Sequence, residues 1–129
     1  MKPDDAQAFA VEWVEAWNAH DLELIMSHFS DDVTFSSPLA VKLVPGSDGN
    51  IQGKTALKEY WREGLRRIPD LRFTVDAVYV GVEAMVINYR NQVDRLVCEV
   101  LFFEGDLVIK GLGTYLNDGS SSGGVAVPQ

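Results

Sequence analysis

The chain has 129 residues, 47% hydrophobic and 23% charged, with nineteen carboxylates against eleven lysines and arginines and a formal net charge of −8. A single domain of this size can bury roughly two thirds of its unfolded surface unaided. This composition excludes a disordered or low-complexity chain, and the acidic balance argues against nucleic acid and anionic lipid as partners.

Asp4 and Asp5 favour a helix N-terminus. Phe9, Trp13 and Trp17 then recur every four residues beside Ala6, Ala10 and Ala16, which predicts a first helix with a broad apolar face. Asn18 to Asp21 breaks it, and Asp21 can cap a short second helix striped by Leu22, Ile25, Met26 and Phe29. Val33 to Ser37 reads as a short strand stopped by Pro38, and residues 39–53 read as loop. Leu57, Tyr60, Trp61, Gly64, Leu65 and Ile68 share a face of a third helix, ended by Pro69. From Leu71 the period falls to two, with Leu71, Phe73, Val75, Ala77 and Tyr79 on one side of a strand. Strands over 84–91, 95–104 and 107–116 follow. The expected fold is α+β, a curved antiparallel sheet with helices on one face. One domain spans residues 1–118, and Gly119 to Gln129 is a flexible tail.

No apolar run approaches the roughly 20 residues of a membrane helix. The start MKPDDAQAFA lacks the pattern of a signal peptide, and the single cysteine, Cys98, suits the cytoplasm. No cofactor or metal is expected. Gly53-Lys54-Thr55 lacks the upstream glycine and strand of a phosphate loop. Asp48, Asn50, Gly53 and Glu59 fall on calcium-loop positions, but no helix enters that segment. His20 and His28 lie eight residues apart across a helix break, so they form no helical metal pair. Ser37, His28 and Asp32 have no nucleophile-elbow sequence around them. Arg62, Arg66 and Arg67 lie near Glu59 and Glu63 and read as ion pairs on a solvated face.

The last hairpin is more informative. With Gly105-Asp106 as its turn, Glu104 pairs with Leu107. An unbroken register puts Val97, Glu99, Leu101 and Phe103 beside Val108, Lys110, Leu112 and Thr114. The other face then carries Leu96, Cys98, Val100 and Phe102 beside Ile109, Gly111, Gly113 and Tyr115. Both faces are apolar, which predicts helices on one and a second copy of the chain on the other. Glu99 and Lys110 become diagonal neighbours; on pattern alone, a solvated ion pair accounts for them.

Trp17-Asn18-Ala19-His20-Asp21, Phe29 to Phe35 with Pro38, and Gly53 to Leu57 together resemble the nuclear-transport-factor-2-like superfamily, with its SnoaL-like cyclases and ketosteroid isomerases. The likeness runs from about Ala6 to Asn117. It implies a cone-shaped sheet wrapped on three helices, a pocket at the wide end, and a homodimer through the sheet. It also puts the Glu99 face inside the cone. Against the ketosteroid isomerases, Trp13 stands at the helix-one tyrosine, Trp61 at a supporting tyrosine, Glu99 at the strand acid and Ser37 at the base. Serine is no base near neutral pH without activation, so that route is not expected. The resemblance implies a pocket for an apolar, oxygen-bearing small molecule. Glu99 would be its acid or base, tuned by Lys110, and Trp13, Ser37, Tyr60, Trp61, Leu101 and Leu112 would contact the ligand. The same fold also accommodates a ligand-binding dimer that does no chemistry.

Overall fold

A computed structural model describes residues 1–117. The expected domain limit at 118 and the tail from Gly119 lie outside the described residues. Helix α1 (Pro3–Asn18) opens with proline in its first turn, followed by Asp4 and Asp5 at the positive end of its dipole. It buries Ala6, Ala10, Trp13, Ala16 and Trp17 along one face. Asp21 caps α2 (Leu22–Met26) by accepting a bond from the Leu24 N–H at 3.1 Å.

The second helix ends earlier than its apolar stripe suggests, because Phe29 already opens strand β1 (Phe29–Ser36). The segment read as loop contains a short helix α3 (Pro38–Leu43) and a short strand β2 (Asn50–Gln52). Helix α4 (Lys54–Arg67) buries Leu57, Tyr60, Trp61 and Gly64. Its other side carries the expected ion pairs, Arg62 with Glu59 and Arg66 and Arg67 with Glu63. Strands β3 (Thr74–Val80), β4 (Ala84–Arg90), β5 (Leu96–Glu104) and β6 (Leu107–Tyr115) complete the described residues.

The sheet order is β2-β1-β6-β5-β4-β3. The sheet is curved and mixed rather than wholly antiparallel, because β1 returns to lie parallel to β6. Helices and sheet enclose one core, in which Trp13, Phe29, Ile25, Leu57 and Leu101 are fully buried.

Two irregularities change which side chains face that core. Between Val75 and Ala77 the β3–β4 register slips by one residue at Asp76. Val78 therefore packs inward, while Tyr79, expected on the core side, is 60% exposed. Between Phe102 and Phe103 the β5–β6 register slips at Ile109. An extra residue reverses every later side chain, since strand side chains alternate with a period of two.

The Trp17–Asp21 string clamps the sheet. The Asn18 amide donates to the Phe73 carbonyl at 2.9 Å and its carbonyl accepts from the Phe73 N–H at 2.7 Å. The His20 ring meets the Leu71 carbonyl at 2.9 Å. This fixes Leu71 and Phe73 ahead of β3, where both become part of the cavity wall.

Candidate functional site

A cavity opens between α1, α4 and the concave face of the sheet. The centres of water molecules can range over about 70 Å³ of it, and the empty space including its mouth is about 670 Å³. The walls are largely aromatic: Trp13, Trp17, Phe35, Tyr60, Trp61 and Phe73 contribute, with Tyr89 and Tyr115 from the strands. Trp13 and Phe73 stack, their ring centroids 5.6 Å apart at 19°.

Glu99 stands in this wall with 5% of its surface exposed. Position 99 falls on the inward phase of β5, with Val97, Leu101 and Phe103. Loss of water disfavours the carboxylate, so burial pushes the Glu99 pKa up to about 8; a hydrogen bond from Tyr89 partly opposes this. The Tyr89 hydroxyl lies 3.4 Å from Oε1 of Glu99. Burial, and then the Glu99 charge, raises the Tyr89 phenol well above its ordinary range. At neutral pH the pair therefore presents a protonated carboxyl beside a protonated phenol.

Ser37 organises a second polar group. Its Oγ accepts from the Leu39 N–H at 3.2 Å, capping α3, and from the Tyr60 hydroxyl at 3.3 Å. Burial raises the Tyr60 phenol well above its ordinary range, against a hydrogen bond with Ser37. Burial pushes Tyr115 up to about 12, helped by Glu99 and opposed by Ser37. The Arg95 guanidinium lies over the Tyr115 ring at 5.1 Å.

Three further polar atoms in the wall are buried without a hydrogen-bond partner: the indole nitrogens of Trp13 and Trp17, and Oε1 of Gln92. Such atoms are rare in folded proteins, because each forgoes the bond it would make in water. Among the described residues no cluster of histidine, cysteine or carboxylate side chains could hold a metal.

The structure brings together Trp13, Ser37, Tyr60, Trp61 and Glu99, as expected. Leu101, expected to contact the ligand, is buried in the core beside its cross-strand partner Gly111 and does not line the cavity. Lys110 and Leu112 do not reach the site. The extra residue at Ile109 turns them to the convex face, where Lys110 lies over the Phe102 ring at 5.8 Å. Lys110 therefore cannot tune Glu99. The same reversal brings Tyr115 inward and leaves Gly113 opposite Glu99. Sequence reasoning misses Tyr89, although its place signals it: Met85, Ile87 and Tyr89 alternate on β4 as buried residues, and Ile87 pairs with Glu99.

Residues 10–109 match the model of the SnoaL-like domain, and the chain belongs to this family. Its fold is accordingly nuclear-transport-factor-2-like. A SnoaL-like protein of unknown function from Burkholderia thailandensis is 43% identical, with a TM-score of 0.85 over 91% of this chain and 99% of the other. A candidate ketosteroid isomerase from Kribbella flavida is 16% identical, with a TM-score of 0.66 over 88% and 79%. A candidate polyketide cyclase from Sinorhizobium meliloti is 10% identical, with a TM-score of 0.68 over 88% and 95%. No curated protein matches the sequence.

Proposed function

We propose that this chain binds a small, apolar, oxygen-bearing molecule in its cavity and anchors the ligand oxygen on Glu99, as a SnoaL-like isomerase, cyclase or hydrolase would. The observation that carries this reading is a buried carboxyl, paired with the Tyr89 phenol, in a largely aromatic wall. A few convergent polar groups on an apolar surface are the usual layout of a ligand site. Tyr89 donates to Oε1, which leaves the carboxyl proton for a ligand carbonyl or enol. The unpartnered indole N–H groups of Trp13 and Trp17 favour a ligand with further acceptors.

A second reading, an accessory binding protein without chemistry, draws on Ser37. Its Oγ is taken up by the Leu39 N–H and the Tyr60 hydroxyl, so the position of a base is occupied by a helix cap. Purified protein should therefore give no turnover of a 3-oxo-Δ5 steroid above the solution rate. Ser37-dependent turnover would refute this assignment. Binding itself is tested by titrating the chain with 2-naphthol, a flat hydroxyaromatic. All three tryptophans line the cavity, so their emission reports occupancy. Glu99→Gln removes ionisation and the acidic donor while keeping size, and should weaken binding about ten-fold; unchanged affinity would sink the anchor role.

We also propose a homodimer through the convex face, where Leu96, Cys98, Val100, Phe102 and Leu112 are half-buried. Light scattering at micromolar concentration should give twice the chain mass, and Val100→Glu should give a monomer. A monomeric wild type would refute the dimer. The single cysteine fits a reducing compartment, and a cytoplasmic location is part of this reading. No helix among the described residues is long and apolar enough to cross a membrane.

A further inference from the structure

Three glycines lie on the inner walls of the fold, and the structure separates them by what surrounds them. At Gly111, an added Cβ would meet the Phe35 ring at 2.7 Å and Leu101 at 3.3 Å. That glycine is explained by packing. Gly64 and Gly113 are not. Gly64 lies within α4, three residues before its end, and inside a helix glycine is up to roughly 1 kcal/mol worse than alanine. Yet it is buried, and an added Cβ would meet nothing within 4 Å. Gly113 lies inside β6, where glycine also weakens a strand and often marks close approach of a ligand or backbone. An added Cβ there would make only ordinary contacts, to Ser37 at 3.4 Å and to Phe35 at 3.8 Å. Neither residue has the positive φ that would call for glycine. Both line the cavity, one on the helix wall and one on the sheet wall.

Two residues that cost stability, and that neither backbone geometry nor packing requires, remain to be explained by the space they leave. Gly113 is the cross-strand partner of Glu99, so its space lies beside the carboxyl. Trp13 and Trp17, 2% and 6% exposed, add unpartnered N–H groups to the same cavity. We propose that Gly64 and Gly113 determine the specificity of the cavity: each leaves open the space that a Cβ would fill, and together they set how wide a ligand can lie beside Glu99. This rests on the small-molecule reading above and adds the ligand's width to it.

The test compares wild type, Gly64→Ala, Gly113→Ala and Glu99→Gln, using tryptophan quenching by 2-naphthol and by the single-ring phenol. Thermal melts are recorded beside each titration. Wild type should bind both probes. Each alanine variant should lose at least ten-fold in affinity for 2-naphthol and less than three-fold for phenol. Gly64→Ala should also melt at or above the wild-type temperature, since alanine is the better helix former. A glycine with a purely structural role cannot give a more stable protein that discriminates against the wider probe, and this arm does not depend on Gly113→Ala folding. Full 2-naphthol affinity in Gly64→Ala overturns the proposal. If Glu99→Gln weakens binding in that same experiment, the small-molecule reading survives alone. Wild type that binds phenol but not 2-naphthol likewise overturns the width assignment only. Wild type that binds neither probe overturns both readings.

Discussion

On the outer side of α4, Glu63 lies between Arg66 and Arg67, with nitrogen–oxygen distances of 2.7 and 2.6 Å. On the inner side of β5, Glu99 has one phenol at 3.4 Å and aromatic rings around it. Hydrogen bonds from Arg66 and then Arg67 bring the Glu63 pKa down to about 2, whereas burial takes Glu99 up to about 8. In the sequence, each of the two carboxylates is expected beside a cation. The cations of Glu63 follow it by three and four residues on a helix, a spacing that brings side chains together. The cation expected for Glu99 depends on a strand register, which one extra residue undoes. Local periodicity therefore predicts a solvated charge cluster correctly, while long-range register decides that Glu99 stands without a cation in the cavity wall.

The largest expected effect comes from removing the wall that keeps water from Glu99. Trp13→Ala should cost about 3–5 kcal/mol in urea denaturation, the usual range for a buried tryptophan. It should also lower the Glu99 pKa toward its ordinary 4.5. If Glu99 kept its raised value in that variant, aromatic burial would not be what separates it from Glu63.

Next is the pH dependence of stability. Between 4.5 and about 8 the folded chain retains a proton on Glu99 that the unfolded chain has lost. This contribution is complete below pH 4.5 and disappears as pH rises through about 8. Each tenfold difference in proton affinity between the folded and unfolded chain is worth roughly 1.4 kcal/mol, so the contribution amounts to a few kcal/mol. Urea midpoints at pH 5, 7 and 9 should show Glu99→Gln gaining on wild type as pH rises. Parallel curves would place Glu99 in water, like Glu63.

Ser37→Ala should cost about 1 kcal/mol through the lost cap of α3. It also leaves the Tyr60 hydroxyl without its acceptor, so binding of 2-naphthol should change with stability. A melt and a titration on the same sample check both.

The smallest effect belongs to Glu63→Gln. A depressed pKa contributes above the unfolded value of 4.5 and is lost only as pH falls through about 2. Its charges are solvated, so the melting shift near neutrality should be slight and should vanish in 1 M salt. A large, salt-insensitive loss would mean that the α4 surface cluster matters to the fold as much as the cavity does.

The elements with strong local signals were legible in the sequence: the tryptophan face of α1, the Asp21 cap, the stripe of α4 and the hairpin turn at Gly105. The pairing of β1 with β6 was not, because parallel partners far apart in sequence leave no local trace. Nor were α3 and β2, six and three residues long within a glycine-containing segment. Extra residues at Asp76 and Ile109 have no compositional signature. Their effect on Tyr79, Lys110, Leu112 and Tyr115 is therefore invisible until the register is known. Within the site, Trp13, Ser37, Tyr60, Trp61 and Glu99 followed from the family resemblance. Tyr89 was within reach of period-two reading on β4, and Gly64 and Gly113 become informative only when their surroundings are measured.

At neutral pH, Glu99 should be a protonated anchor inside the cavity, and its proposed role as the ligand anchor depends on that state. Carbon-13 NMR of the glutamate side-chain carboxyls, titrated from pH 4 to 10 in wild type and Glu99→Gln, addresses it directly. One carboxyl should titrate with a midpoint near 8 and be missing from the variant. A Glu99 signal with its midpoint near 4.5, alongside the solvated carboxyls, would contradict the account.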